Sequence, residues 1–215
     1  MTLLGGFELH VAGAAVELGR QAARVVGLLA VSARPLNRAR VAETLWTDSN
    51  QDRALSNLRN AVWHLRRADC GTVVSSGAAL ALDPEVEVDL HRLRAAEVPQ
   101  PVDLIAEDLL PGWDEEWLVL ERERHRQWRL HSLERVSAEL RAQGRFADAI
   151  DSALLAVQIE PLRESAHMAL IAAYVAEGNA SEAMRAYRAY AALLQAELGI
   201  SPATALGDLL GRSSP

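Results

Sequence analysis

Lysine is absent: all 22 cationic side chains are arginine. Arginine favours bidentate contacts to phosphate and guanine, although a GC-rich coding sequence produces the same bias. Cysteine is nearly as scarce. Cys70 stands alone, which excludes an internal disulfide or a cysteine metal cluster and leaves a small side chain near a helix end. Aromatic residues are few, at 5%, while half of the chain is apolar and rich in alanine and leucine. That mixture favours helix over sheet. No apolar run is long enough to span a bilayer, and MTLLGGFELHV lacks the basic start and apolar stretch of a signal peptide. We expect a soluble cytoplasmic protein with no membrane contact.

Chemistry is equally under-provided. The six histidines, at positions 10, 64, 91, 125, 131 and 167, form no HExxH and no Cys/His cluster, so no metal is expected. Glu121 and His125 share a helix face at i, i+4 and read as an ordinary surface pair. Neither GxxxxGK[ST] nor GxGxxG occurs, so no nucleotide cofactor is expected either. The chain reads as a non-enzyme without cofactors.

What is present is an uneven distribution of charge. The net charge of −7 hides a basic block, because Arg20 to Arg67 holds nine arginines against Glu43, Asp48 and Asp52. Asp83 to Glu123 carries thirteen acids against three arginines, and residues 124 to 215 carry ten of each sign. Local charge, more than the total, decides what a surface attracts. Within the acidic stretch, the piece from Asp103 to Glu116 reads as a solvated face, or as an electrostatic partner that folds against the basic block or repels DNA from its side.

The central stretch is DRALSNLRNAVWHLRR, Asp52 to Arg67. Wound as a helix, it places Leu55, Leu58, Val62 and Leu65 on one apolar stripe. Arg53, Asn57, Asn60, His64 and Arg67 fall on the far side as a row of donors without a carboxylate. Around it the chain reads in order. Phe7 to Leu18 is a short hairpin interrupted at Ala12-Gly13. Arg20 to Val31 is a well-buried helix, and Asn37 caps a short second one, RARVAETLW. Ser49 and Asp52 have capping-box spacing before the third. Thr72 to Ser75 and Ala78 to Leu82 are strands around a Ser76-Gly77 turn. Strands, three helices with the third basic, then a hairpin is the order of a winged helix-turn-helix.

Asp89 opens a helix through Glu97, and Val98-Pro99-Gln100-Pro101 marks a boundary. The second half is helical and repeats. Gly144 and Gly178 are 34 residues apart, as are Ala149 and Ala183, and Ala153, Ala156, Pro161, Tyr174, Tyr187 and Tyr190 fall at tetratricopeptide positions. Two repeats seldom stand alone, so helices at Glu116 to Leu130 and Pro202 to Leu210 are expected to cap them. The expected fold is mainly α with small β: a winged helix-turn-helix at 1–97 and an all-α, tetratricopeptide-like domain at 98–215.

The motifs LPGWDEEWLVLERERHRQ (Leu110 to Gln127), EPLRESAHMALIAAY (Glu160 to Tyr174) and AELGISPATAL (Ala196 to Leu206) carry a family likeness. So do ETLW (Glu43 to Trp46) and NAVWHLRR (Asn60 to Arg67). With them the chain resembles the short form of the antibiotic regulatory protein family of actinobacterial transcription activators. The resemblance covers nearly the whole chain and joins a winged helix to a bacterial transcriptional activator domain. It implies an activator that binds promoter direct repeats on double-stranded DNA, as a homodimer on DNA, recruits RNA polymerase and controls a biosynthetic gene cluster. The ATPase loops of longer members are missing from this sequence. Members commonly keep a basic residue and an aromatic in the wing, whereas SSGAALAL (Ser75 to Leu82) has neither.

From these readings Arg53, Asn57 and Asn60 are expected at base edges, and His64 and Arg67 at phosphates. Arg59 and Arg66 flank the stripe as phosphate contacts or as intramolecular ion pairs. Ser75 and Ser76 offer neutral donors to the backbone. The competing reading is a tetratricopeptide-like adaptor whose winged helix no longer binds DNA, favoured by the wing composition and the net charge.

Overall fold

A computed structural model of the chain describes residues 1–68, 71–95, 105 and 107–211. Cys70 and the Val98–Pro101 boundary lie outside them. The chain forms two compact units, one comprising Met1–Gln100 with Glu107–Glu123, the other Pro101–Ala106 with Arg124–Pro215. A single cut at 97/98 therefore does not describe the division, because residues 107–123 return to the first unit.

The first unit opens with a hairpin of β1 (His10–Val11) and β2 (Ala14–Ala15), paired antiparallel. Ala12 and Gly13 both take positive φ, as a two-residue primed turn demands. Helix α1 (Arg20–Ser32) follows, with nine of its thirteen residues buried. The short strand β3 (Leu36–Asn37) leads into α2 (Arg38–Leu45), whose N-cap Asn37 accepts from the Ala39 amide. Helix α3 spans Gln51–Arg67. Its cap is Asn50, accepting from the Arg53 amide at 2.9 Å, so the Ser49/Asp52 capping box does not form. The Ser49 amide instead closes a turn onto the Trp46 carbonyl.

The wing is β4 (Val73–Ser76) and β5 (Ala79–Leu82), completed by β3 into a sheet of order β3-β5-β4. Ser76 pairs with Ala79 inside the ladder, so the turn is Gly77-Ala78, one residue beyond the expected Ser76-Gly77. Gly77 supplies the left-handed conformation there. Leu58, Val62 and Leu65 of α3 join Leu29, Val41, Leu45 and Leu80 in one core, with Leu55 at its margin. Each large side chain so buried contributes roughly 1.5–3 kcal/mol. Ala54 and Ala61 are buried with them.

Helix α4 (Asp89–Ala95) closes this unit. The Asp89 carboxylate receives the Leu3, Leu4 and Leu90 amides, tying the N-terminal residues to the helix start. The His91 ring bonds the Ala30 carbonyl of α1. Residues 107–123 return because their apolar groups have places here: Leu109 bridges Leu4, and Trp113 lies against Gly27 and Phe7. A Cβ on Gly27 would stand 2.9 Å from the Trp113 ring, so only glycine lets the indole settle on α1.

Helix α5 runs Glu116–Ala142, well past the expected end at Leu130. In the second unit it is followed by α6 (Phe146–Ile159), α7 (Glu164–Glu177), α8 (Ala180–Leu198) and α9 (Thr204–Gly211). The repeat is real. Gly144 and Gly178 hold φ of 75° and 88° at the turns between paired helices, while Ala149, Ala153, Ala156 and Ala183 are buried where helices approach. Ser137 donates to the Ala149 carbonyl and Ser152 to the Leu133 carbonyl, a reciprocal pair of buried clasps between α5 and α6. Tyr190 stacks on His167 at 4.0 Å and donates to the Leu162 carbonyl. Leu206 of α9 completes the cluster with Ile171, Tyr190 and Leu194, as a capping helix should. His125, expected at the surface, is 1% exposed and stacks on Trp128.

Candidate nucleic-acid interface

Helix α3 turns its apolar stripe inward, and the opposite face is open. Arg53, Arg59, Asn60, His64 and Arg67 are exposed, and Asn57 is half-buried at one margin. Among the described residues no carboxylate pairs with Arg53, Arg59 or Arg67, so the ion-pair alternative for Arg59 has no partner. Asp52 in the first turn is the acid that α3 itself contributes. Asn57, Asn60, His64 and Arg67 also form one wall of a cleft of about 760 Å³, whose other wall is Glu17–Ala22 with Trp46.

The wing flanks the helix on its other side. Ser75 and Ser76 are exposed, opposite Leu80 and Ala79. The Ser75 hydroxyl accepts from Arg38 of α2 at 3.0 Å and from Arg66 of α3 at 3.5 Å. Arg66 thus bonds the wing rather than an acid. The wing has no cation of its own, yet two arginines from neighbouring helices converge on it, held there partly because the Arg38 amide donates to the Ala78 carbonyl.

Trp63 is the residue that sequence reasoning passed over. It is 51% exposed in the middle of the outward face. The Arg67 guanidinium lies 5.3 Å from the centroid of its ring, and His64 meets it edge-on at 4.9 Å. Arg59, Trp63 and Arg67 stand at i, i+4 and i+8, a spacing that could have revealed the file. The stacked indole restricts Arg67 at modest energy, about 0.5–1 kcal/mol for an exposed pair.

The acidic middle segment engages α1. Glu115 is buried against Arg24, with Nε 2.6 Å from Oε1 and Nη2 2.8 Å from Oε2. The same Nη2 donates to the Leu45 carbonyl at the end of α2, and Trp117 donates to Glu115. Asp114 and Glu116 on either side remain exposed. Of the two readings of the acidic run, folding against the basic block holds at Glu115.

The bacterial transcriptional activator domain matches residues 89–211, more than half of the sequence. The chain belongs to the bacterial transcriptional activator domain family. In this member the matched region takes in α4 to α9, while α3 and the wing precede it. Regulatory protein AfsR of Streptomyces coelicolor is 28% identical over 215 residues, covering 90% of this chain and 22% of that protein. The fold is that of Mycobacterium tuberculosis EmbR, solved in complex with a low affinity phosphopeptide. The TM-score is 0.81 at 22% identity, over 99% of this chain and 64% of that one. The chain therefore spans about a fifth of the curated relative and under two thirds of the solved one. These matches bear out the resemblance to the antibiotic regulatory protein family and the expected fold class, a winged helix followed by an all-helical domain. No described helix is long and apolar enough to cross a membrane.

Proposed function

We propose that this member of the family is a sequence-specific DNA-binding activator without chemistry of its own, acting on the chromosome in the cytoplasm. The observation that carries the reading is the outward face of α3, where arginine and amide donors face solvent and have no carboxylate partner among the described residues. A helix of this kind fits the major groove, its N-terminal part at base edges and its flanks at phosphates. Arg53 and Asn60 are assigned to bases, with Asn57 beside them at the cleft margin. Arg59, His64 and Arg67 are assigned to the backbone, with Ser75 and Ser76 on the wing side. One such face reads few base pairs, so two copies on direct repeats supply the remaining specificity, and the helical half contacts RNA polymerase. Control of a biosynthetic gene cluster belongs to the same reading.

The adaptor alternative drew support from a wing without cations; Arg38 and Arg66 beside Ser75 weaken that support. The test is selection of bound fragments from a random duplex pool, followed by titration of the enriched sequence over a salt series. Phosphate contacts give a steep negative slope of log affinity against log salt. No enrichment, together with a flat slope, refutes the proposal.

A further inference from the structure

We infer that Arg38, Arg66 and Ser75 form one built site for a single backbone phosphate of the duplex, a clamp that takes the place of the missing basic wing residue. The inference rests on the DNA-binding reading above and deepens it. Two guanidinium groups converge on one hydroxyl oxygen, at 3.0 and 3.5 Å, and neither pairs with a carboxylate among the described residues. Two like charges gathered at one neutral oxygen repel each other unless an anion joins them. The site stands at the surface on the wing flank of α3, where the sugar-phosphate strand passes when the helix occupies the groove.

The chemistry suits a phosphodiester. Each guanidinium offers a planar fork of donors matched to paired phosphate oxygens. The Ser75 hydroxyl now accepts from both arginines, and its own proton is free to donate to the incoming anion. The three residues come from α2, α3 and β4; a backbone bond ties Arg38 to the Ala78 carbonyl, and the antiparallel ladder sets Ser75 opposite Leu80. Because the phosphate is shared, the two arginines count as one contact. A linear sequence reading would count two.

The experiment uses the full chain and the duplex enriched by selection, with affinity measured by fluorescence anisotropy over a salt series. Arg38→Gln, Arg66→Gln and the double variant are compared, after thermal melts show that each retains the wild-type fold. The expected result is a slope shallower by about 0.9 in the double variant, with the second substitution adding little to the first. Affinity should fall by the same factor on selected and random duplexes. Lysine at both positions keeps the charge and should preserve the slope if either substitution perturbs folding. An unchanged slope in the double variant overturns the clamp. So does a loss of about 1.8 divided equally between the singles, which marks two separate phosphates. A wild-type protein with no salt-dependent binding instead fails the underlying DNA reading, and the clamp falls with it.

Discussion

Replacing Glu115 by alanine should destabilise the first unit far more than loss of an ordinary surface acid. Arg24 and Glu115 are 16% and 7% exposed at their side chains, so the pair has left most of its water behind. Removing one partner of a buried pair costs about 3–5 kcal/mol, because the other charge is stranded. Arg24 is only partly stranded, since it also donates to the Leu45 carbonyl at 2.5 Å and to Gln21 at 2.9 Å and lies 5.7 Å from the Trp46 ring centroid. These contacts bring the expected loss to the lower end, about 3 kcal/mol. At roughly 4 °C per kcal/mol for a unit of this size, the melting point should fall by about 12 °C. Urea unfolding followed by tryptophan fluorescence is a suitable assay because Trp46, Trp63, Trp113 and Trp117 all lie in this unit. Arg24→Met with Glu115→Leu removes both charges and should return within about 1 kcal/mol of wild type. A loss below about 1 kcal/mol for Glu115→Ala, or a double variant worse than the single, would refute the reasoning.

Arg53→Ala should cost about 1–3 kcal/mol of binding and relax one base position, whereas Arg67→Ala should weaken all duplexes alike; equal losses on selected and random DNA for both would remove the division of roles. Gly27→Val drives a side chain into the Trp113 ring and should destabilise by about 1–3 kcal/mol in the same urea assay. Ser137→Ala removes the hydroxyl bond to the Ala149 carbonyl, which keeps its partner within α6, and should cost about 1 kcal/mol in thermal unfolding of the second unit. His167 is held below its ordinary pKa by burial, against the opposing hydrogen bond to the Pro161 carbonyl. The unfolded chain therefore binds the proton first, so stability should decline as pH falls below about 6.5 toward the lowered folded value. His167→Gln should flatten that part of the profile.

Legibility differed by the range of the interaction involved. The inward stripe of α3, the Asn37 cap and the glycine-to-alanine spacing at 144/149 and 178/183 were readable because helical periodicity and caps are local. Boundaries slipped where two local signals competed. Asn50 and Ser49 are both good caps, and the Ser49 amide was already engaged by the Trp46 carbonyl. At the wing, Ser76-Gly77 and Gly77-Ala78 both put glycine in the turn, and the pairing of β5 with β3 as well as β4 selects the second. His125 read as half of a surface pair because i, i+4 spacing says nothing about which face is covered.

The sequence by itself determined the helices, their buried faces, the 34-residue repeat and the donor row on α3, since each follows from residue type and spacing along one element. Only the tertiary structure decided that Glu115 meets Arg24 across 91 positions and that 107–123 folds back to fill the space above Gly27. The meeting of Arg38 and Arg66 at Ser75 was decided in the same way. Each of these depends on side chains from separate elements converging in space. Charge counts and periodicity contain no information about convergence, because it is set by how the packed cores orient the elements that carry those side chains.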